Sequence, residues 1–306
     1  MEHKIEKKGD EIVRATLCGG EAVVYLARTT ELCETARATH HASALAAAAL
    51  GRTLTMTAIM TLSSLKNDTD RLSLTIDGKG PIGRIVCAGR VPALVKGYVD
   101  EPTIDLPRNA KGKLDVGGAV GRDGTITVVR DLGLREPYVG RSRLVSGEIA
   151  EDFAMYFTIS EQSPSLVALG VHVSAEYYVD AAGGILVQPL PGCSEETLEK
   201  LEQSAGKLSS ISTLMGEYGT LDEILEMLFP GRDARILARQ TPKFACDCSR
   251  ERIERALIAM GYDELKSLRD EDGKAQLSCS FCDRVYDFSG EDLDQLLCAM
   301  REGREA

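Results

Sequence analysis

Four cysteines near the C-terminal end carry the strongest chemical signal in the sequence. Cys246-Asp247-Cys248 and Cys279-Ser280-Phe281-Cys282 set four thiols in two tight pairs, with 31 positions from Cys248 to Cys279. Such spacing suits a metal ion. Cys246 and Cys248, two apart, point the same way from an extended segment, and Cys279 and Cys282 fit a chelating turn. Four thiolates at about 2.3 Å close a tetrahedral shell around Zn²⁺ and leave no water to activate, so the site is structural or regulatory, not hydrolytic. Paired structural disulfides, or a thioredoxin-like use of Cys279 and Cys282 alone, are the rival readings. Neither explains all four cysteines in a reducing compartment.

The elements that must hold these thiols are short. Ser249 opens a helix that buries Ile253, Leu257 and Met260, and Ser289 opens another that buries Leu293, Leu296 and Leu297. About 60 residues bury too little surface to be comfortably stable alone. Structural Zn²⁺ contributes on the order of 10 to 16 kcal/mol in finger peptides, so loss of the ion should unfold the segment. Residues 244–306 hold 9 basic and 15 acidic residues, a net of −6. A nucleic-acid-reading zinc module needs a basic face, so a protein-facing or redox role is left.

The remainder of the 306 residues must supply the larger core, with 43% hydrophobic and 27% charged residues and a net charge of −11. That length predicts at least two units. The acidic balance speaks against a nucleic-acid partner. Met1-Glu2-His3-Lys4-Ile5-Glu6-Lys7-Lys8 is too charged for a secretory signal. The longest near-apolar stretch, Ala42–Leu50, is far short of the roughly 20 residues that span a bilayer, which predicts no membrane partner. Nine cysteines without a signal point to the cytoplasm.

Glu11–Cys18 and Glu21–Ala27 alternate as a β-hairpin around Cys18-Gly19-Gly20. Residues 30–65 are Ala-, Leu- and Met-rich and predict two helices broken at Gly51. Arg71–Ile76, Arg84–Ala88, Leu94–Val99, Thr125–Val129 and Gly170–Val179 read as strands, with an amphipathic helix over Glu148–Phe157. Beyond Gly183-Gly184 and Pro191-Gly192, Ser194 opens a helix, and Thr220-Leu221-Asp222-Glu223 is a capping box for another that ends at Pro230-Gly231. The fold class is α+β. A mixed sheet and helix core spans residues 1–182, a helical linker 183–238, and a small zinc-binding domain 239–306.

No catalytic residue and no cofactor-binding residue emerges. Gly78-Lys79-Gly80-Pro81-Ile82-Gly83 matches a dinucleotide fingerprint literally, but Arg84-Ile85-Val86-Cys87 continues as a strand where the pyrophosphate-binding helix should start. His40 and His41 lie on a helix without a carboxylate or cysteine pattern, and His172 lies in a strand. Cys18, Cys33, Cys87, Cys193 and Cys298 are isolated, as small packing residues usually are; their roles stay open.

Phe244-Ala245-Cys246-Asp247-Cys248-Ser249-Arg250-Glu251-Arg252 with the downstream Cys279-Ser280-Phe281-Cys282 resembles the zinc-binding end of the heat shock protein 33 family. The match extends upstream through Asp131-Leu132-Gly133-Leu134-Arg135-Glu136-Pro137-Tyr138, Val145-Ser146-Gly147-Glu148-Ile149-Ala150-Glu151-Asp152, Ser160-Glu161-Gln162-Ser163-Pro164-Ser165 and Ala181-Ala182-Gly183-Gly184. Two departures stand out: Asp283 where the family often has Asn, and Pro189 in a commonly Pro-free stretch. The resemblance implies an ATP-independent holdase, inactive while Cys246, Cys248, Cys279 and Cys282 bind one Zn²⁺ in the reduced form. It implies that oxidants release the ion, join Cys246 to Cys248 and Cys279 to Cys282, and loosen the linker. Loops that small restrain an unfolded chain little, so the zinc-bound end should unfold on oxidation. Expected partners are unfolding client proteins and, chiefly when oxidised, a second copy of the chain. A thiol-disulfide oxidoreductase and a constitutive zinc-dependent adaptor are the rival functions, separable by turnover and by insensitivity to oxidant.

Overall fold

The computed structural model describes residues 9–305, and the charged stretch Met1–Lys8 lies outside the described residues. The chain divides into two compact units, Met1–Ala245 and Cys246–Ala306. In the first unit the order is β1 (Glu11–Leu17), β2 (Ala22–Arg28), α1 (Thr30–Thr39), α2 (Ala44–Ser64), β3 (Arg71–Asp77), β4 (Arg84–Arg90), β5 (Leu94–Val99), α3 (Val116–Val120), β6 (Thr125–Asp131) and β7 (Tyr138–Arg143). It continues through α4 (Ala150–Ile159), β8 (Leu166–Val173), β9 (Val179–Pro189), α5 (Glu195–Ala205), α6 (Ile211–Glu217), α7 (Leu221–Leu228), β10 (Arg235–Gln240) and β11 (Lys243–Phe244). Sheets and helices mix along the chain, as an α+β fold requires.

Two sheets enclose the core. One runs β10-β1-β2-β9-β8 and the other β11-β5-β4-β3-β6-β7. Helix α2 packs against β4 and β5 of one and against β8 and β9 of the other. It is long and apolar enough to cross a membrane, but 89% of its most apolar window is buried inside the protein. The expectation from Ala42–Leu50 therefore understated this helix, whose apolar length serves the core. Its buried Thr53, Thr55, Thr57 and Thr61 donate to carbonyls four residues back at 2.9, 2.8, 2.7 and 2.7 Å, which removes the cost of burying hydroxyls.

The predicted helix break at Gly51 falls elsewhere, at His40–Ser43. Ser43 caps α2 by accepting from Ala46 N at 3.1 Å, and Gly51 sits within the helix. A Cβ at Gly51 would meet Val171 Cγ2 at 2.9 Å and Cys33 Sγ at 3.0 Å, so close packing, not helix termination, explains the glycine. Helix α1 lacks a cap from its own N-cap residue. Asp10 supplies it from a distance, accepting from Glu31 N at 3.0 Å and Leu32 N at 2.7 Å.

The strand expected over Gly170–Val179 is a hairpin, with β8 and β9 joined by the turn at Ser174–Tyr178. Strand β9 runs on to Pro189, paired with Ala22. The connector's helices therefore occupy Glu195–Leu228, and its flanks are strand. Ser194 and Thr220 cap α5 and α7 as read from the sequence, the latter in a reciprocal box with Glu223 at 3.2 and 2.9 Å. These helices cover one face of the five-stranded sheet. Leu201, Ile211, Leu214, Leu221, Ile224 and Leu228 share a buried cluster with Val13, Leu17, Val24, Leu26, Ile185 and Val187.

The glycines of the dinucleotide-like sequence have a packing role. Gly80 N donates to Val120 O at 2.9 Å, and a Cβ on Gly80 would meet Ala119 O at 2.3 Å. The segment leads into β4, so no helix N-terminus is present to receive a phosphate.

In the second unit, α8 (Arg250–Met260) and α9 (Tyr262–Asp272) precede a hairpin of β12 (Lys274–Ser278) and β13 (Val285–Ser289), and α10 (Gly290–Glu305) closes it. Its buried cluster comprises Leu257, Leu265, Ala275, Phe288, Leu293 and Leu297. Met260, expected in this core, is 47% exposed, because α8 ends there at Gly261 (φ 106).

Candidate metal centre

Each pair of thiols is held by a local feature of the chain. Cys246 and Cys248 lie on the extended run into α8, fixed at its end by Ser249, whose hydroxyl accepts from Arg252 N at 3.4 Å. Arg252 also ion-pairs with Asp247 at 2.7 Å and so grips the residue between the two cysteines. Cys279 and Cys282 form the turn between β12 and β13. Cys279 O accepts from Cys282 N at 3.1 Å and from Asp283 N at 2.8 Å, while Cys279 N donates to Arg284 O at 2.9 Å. Asp283 takes φ 55, a left-handed conformation that Asn and Asp adopt more readily than other side chains. The departure from Asn at this position keeps the property the turn needs.

The two features bring all four Sγ atoms within 4.8 Å of one another, with Cys246 to Cys279 at 3.7 Å and Cys248 to Cys282 at 3.4 Å. A tetrahedral ion with sulfur at about 2.3 Å has S···S edges of about 3.8 Å. The cluster therefore has the size and donor set for one thiophilic ion. Cys279 is buried and the other three are half-buried. Among the described residues this is the one group of His, Cys, Asp or Glu that converges closely enough to hold a metal.

Tyr286 completes the surroundings, its hydroxyl donating to Cys248 Sγ at 3.1 Å. Burial opposes ionisation of Cys248, but hydrogen bonds from Tyr286 and the neighbouring thiols outweigh it and bring the thiol down to about 7. Burial pushes Cys246 well up, and Cys282 also rises with burial. One thiolate forms readily, whereas Cys246 and Cys282 need a cation beside them. Arg250 ties the cluster's supports together: it donates to Asp287 O at 2.8 Å, lies 4.3 Å over the Phe288 ring, and pairs with Asp292 at 3.0 Å. The sequence alone marks neither Tyr286 nor Arg250 for a role at the centre. Both act through strand register, which only the folded hairpin sets.

The remaining candidates stand apart from the centre. Buried His40 engages Gly97 O through Nε2 at 2.9 Å, and exposed His172 pairs with Asp180 on the surface. Cys33 is buried among Thr29, Gly51 and Thr55, and burial pushes its thiol up to about 12. Cys87 is likewise buried and raised. Cys298 is exposed on α10.

The family profile described as Hsp33 protein matches residues 10–289. The chain belongs to the Hsp33 family. The 33 kDa chaperonin of Clostridioides difficile strain 630 is 45% identical over 291 residues, covering 95% of this chain and 99% of that protein. The 33 kDa chaperonin of Clostridium perfringens strain ATCC 13124 is 44% identical over 289 residues, 94% of this chain and 90% of that one. The crystal structure of the Thermotoga maritima 33 kDa chaperonin superposes with a TM-score of 0.88 at 39% identity, over 96% of this chain and 100% of that chain. The family thus supports a chaperone function, and its members are named as chaperonins, not enzymes. Within this Hsp33 chain the four clustered cysteines form a group able to hold a metal ion.

Proposed function

We propose that this Hsp33 chain is an ATP-independent holdase, kept inactive by one Zn²⁺ on Cys246, Cys248, Cys279 and Cys282 and activated when oxidation removes those ligands. The observation that carries the reading is the convergence, within 4.8 Å, of thiols from two segments 31 positions apart. They converge in a unit whose buried cluster, among the described residues, is six residues. So small a core needs a cross-link. Bound Zn²⁺ would supply it as a closed shell of four thiolates, with no open position for catalysis.

Oxidation by peroxide joins Cys246 to Cys248 and Cys279 to Cys282. Two peroxides accept the four electrons of the four thiolates and, with four protons from solvent, leave as four waters, while the Zn²⁺ is released. Closed within each pair, the disulfides no longer bridge the separated segments, and the unit unfolds. In the linker, α7 is eight residues long and depends on the cluster it shares with the sheet. Release of the linker helices uncovers Val13, Leu17, Val24, Leu26, Ile185 and Val187, an apolar face suited to unfolding proteins. An apolar cleft of about 450 Å³ between α4 and α5, lined by Met155, Leu166, Val187, Leu198 and Leu201, extends that surface.

In this reading residues 1–182 and the remainder of strand β9 hold clients, the helices within 183–238 form the releasable linker, and 239–306 hold the switch. Nine free cysteines fit the reducing cytoplasm, where the resting state would be held. Exposed apolar surface favours pairing of two oxidised copies, and an acidic chain disfavours nucleic acid. Metal analysis and non-reducing peptide mapping test the core of the reading. One Zn²⁺ per reduced chain, lost as the two local disulfides form, is expected. Disulfides from Cys246 to Cys279 and from Cys248 to Cys282 would refute it, because they would keep the segments stapled.

A further inference from the structure

Cys18 and Cys193, isolated in the sequence, lie on turns that the fold ties together. Cys18 (φ 53) opens the β1–β2 turn, followed by Gly19 (φ 67) and Gly20 (φ 98). Cys193 follows Gly192 (φ 87) in the turn after β9 and directly precedes Ser194, the N-cap of α5. Pairing of Leu17 with Ala22, and of Ala22 with Pro189, brings both turns to one end of the five-stranded sheet.

Glu21 joins them. Its N–H donates to Cys18 O at 3.3 Å, and its carbonyl accepts from Leu190 N at 2.8 Å. Its carboxylate accepts from Ser194 N at 3.1 Å and from Ser194 Oγ at 2.6 Å. Cys193 N in turn donates to Leu190 O at 3.0 Å. Cys18, Glu21 and Ser194 line one cleft of about 330 Å³. Both thiols are half-buried. Burial, Glu21 and the Cys18 thiol together push the Cys193 thiol above its ordinary value. Both turns are open at their glycines, where a Cβ on Gly19, Gly20 or Gly192 would meet nothing within 4 Å. A disulfide needs its two Cα atoms within about 4.4 to 6.8 Å, an approach that glycine-flanked turns can make.

We propose that Cys18 and Cys193 are a second redox couple, which peroxide closes into a disulfide stapling the turn that leads into α5 to the β1–β2 turn. One thiolate attacks hydrogen peroxide, forming an S–O bond as the O–O bond breaks and hydroxide leaves. The other thiol then attacks that sulfur, forming the S–S bond and expelling the oxygen, which leaves with the thiol protons as water. Two thiols and one peroxide thus give one disulfide and two waters.

The two thiol systems then act in opposite senses. Oxidation of the four-cysteine centre releases structure, whereas oxidation of this couple retains it. The staple stands at the N-terminal end of the linker, so α5 stays docked while α7 comes away. That consequence rests on the proposed holdase switch; the disulfide itself does not.

The test uses the full-length zinc-loaded chain, titrated with hydrogen peroxide as wild type, Cys18→Ser and Cys193→Ser. Zinc release, non-reducing peptide mapping and amide hydrogen exchange are read on the same samples. The wild type should yield a peptide pair joined through Cys18 and Cys193 that both variants lack. Amides of residues 195–205 should exchange at least about tenfold more slowly in the oxidised wild type than in oxidised Cys193→Ser, with no difference between the reduced proteins. Absence of the joined pair once most thiols are oxidised, or equal exchange over 195–205, overturns the proposal. A staple without zinc release would leave it standing and sink the holdase switch; zinc release without a staple would do the reverse.

Discussion

Replacing Ile224 by alanine probes the linker without touching any thiol. Ile224 is fully buried in α7, within the cluster that covers the sheet face of Val13, Val24 and Ile185. Three carbons are lost from a packed site. Their transfer from water is worth about 0.8 kcal/mol each, and the cavity left behind adds to this, for a total of about 3 kcal/mol. The better helix propensity of alanine returns only a few tenths of that. A change of 3 kcal/mol shifts the docked-to-released equilibrium by roughly a hundredfold. Thr220→Ala, which removes the hydroxyl half of the capping box at the start of the same helix, should shift it in the same direction by about 1 kcal/mol. Hydrogen exchange over residues 221–228 in the reduced, zinc-loaded proteins should accelerate in the order wild type, Thr220→Ala, Ile224→Ala. Suppression of a model client's aggregation should begin at lower oxidant in the same order. If Ile224→Ala exchanges faster but needs as much oxidant as the wild type, α7 does not cover the client surface.

Other perturbations address the centre and the core. Cys248→Ser removes one of four donors and should reduce zinc content and protease resistance of the linker under reducing conditions; unchanged values would exclude Cys248 as a ligand. Tyr286→Phe deletes the hydroxyl at 3.1 Å from Cys248 Sγ and should weaken zinc affinity about 10- to 100-fold in a chelator competition, with equal affinity counting against its role. Burial raises Asp10 from 3.8 to about 6. Protonation therefore stabilises the first unit, fully below 3.8, and the benefit is lost as pH rises through 6, a difference of about 3 kcal/mol. Urea midpoints should rise from pH 7 to pH 5 in the wild type and much less in Asp10→Asn; parallel slopes would contradict the assignment.

What the sequence disclosed depended on how local the signal was. The four clustered cysteines, the caps Ser194, Thr220, Ser249 and Ser289, and the β1–β2 hairpin are fixed by neighbours within a few residues, and all were legible. Gly51 misled because its cause is the approach of Cys33 and Val171 from elsewhere in the chain. The C-terminal half of β9 read as connector because its place between β2 and β8 is a tertiary fact. Strand β10 has outward-facing residues and no alternation to announce it; pairing with β1 defines it. At the metal centre the donors could be read from spacing, but Tyr286 and Arg250 reach it through the register of a hairpin that the sequence reading did not resolve. Asp10 capping α1 from 21 and 22 residues away belongs to the same class.

The most direct test of the switch follows zinc release and suppression of a model client's aggregation together in one sample, through mild peroxide and then thiol reductant. The account predicts that both rise together on oxidation and that reductant with zinc reverses both. Holdase activity already complete in the reduced, zinc-loaded chain, or zinc release with no gain of activity, would contradict it.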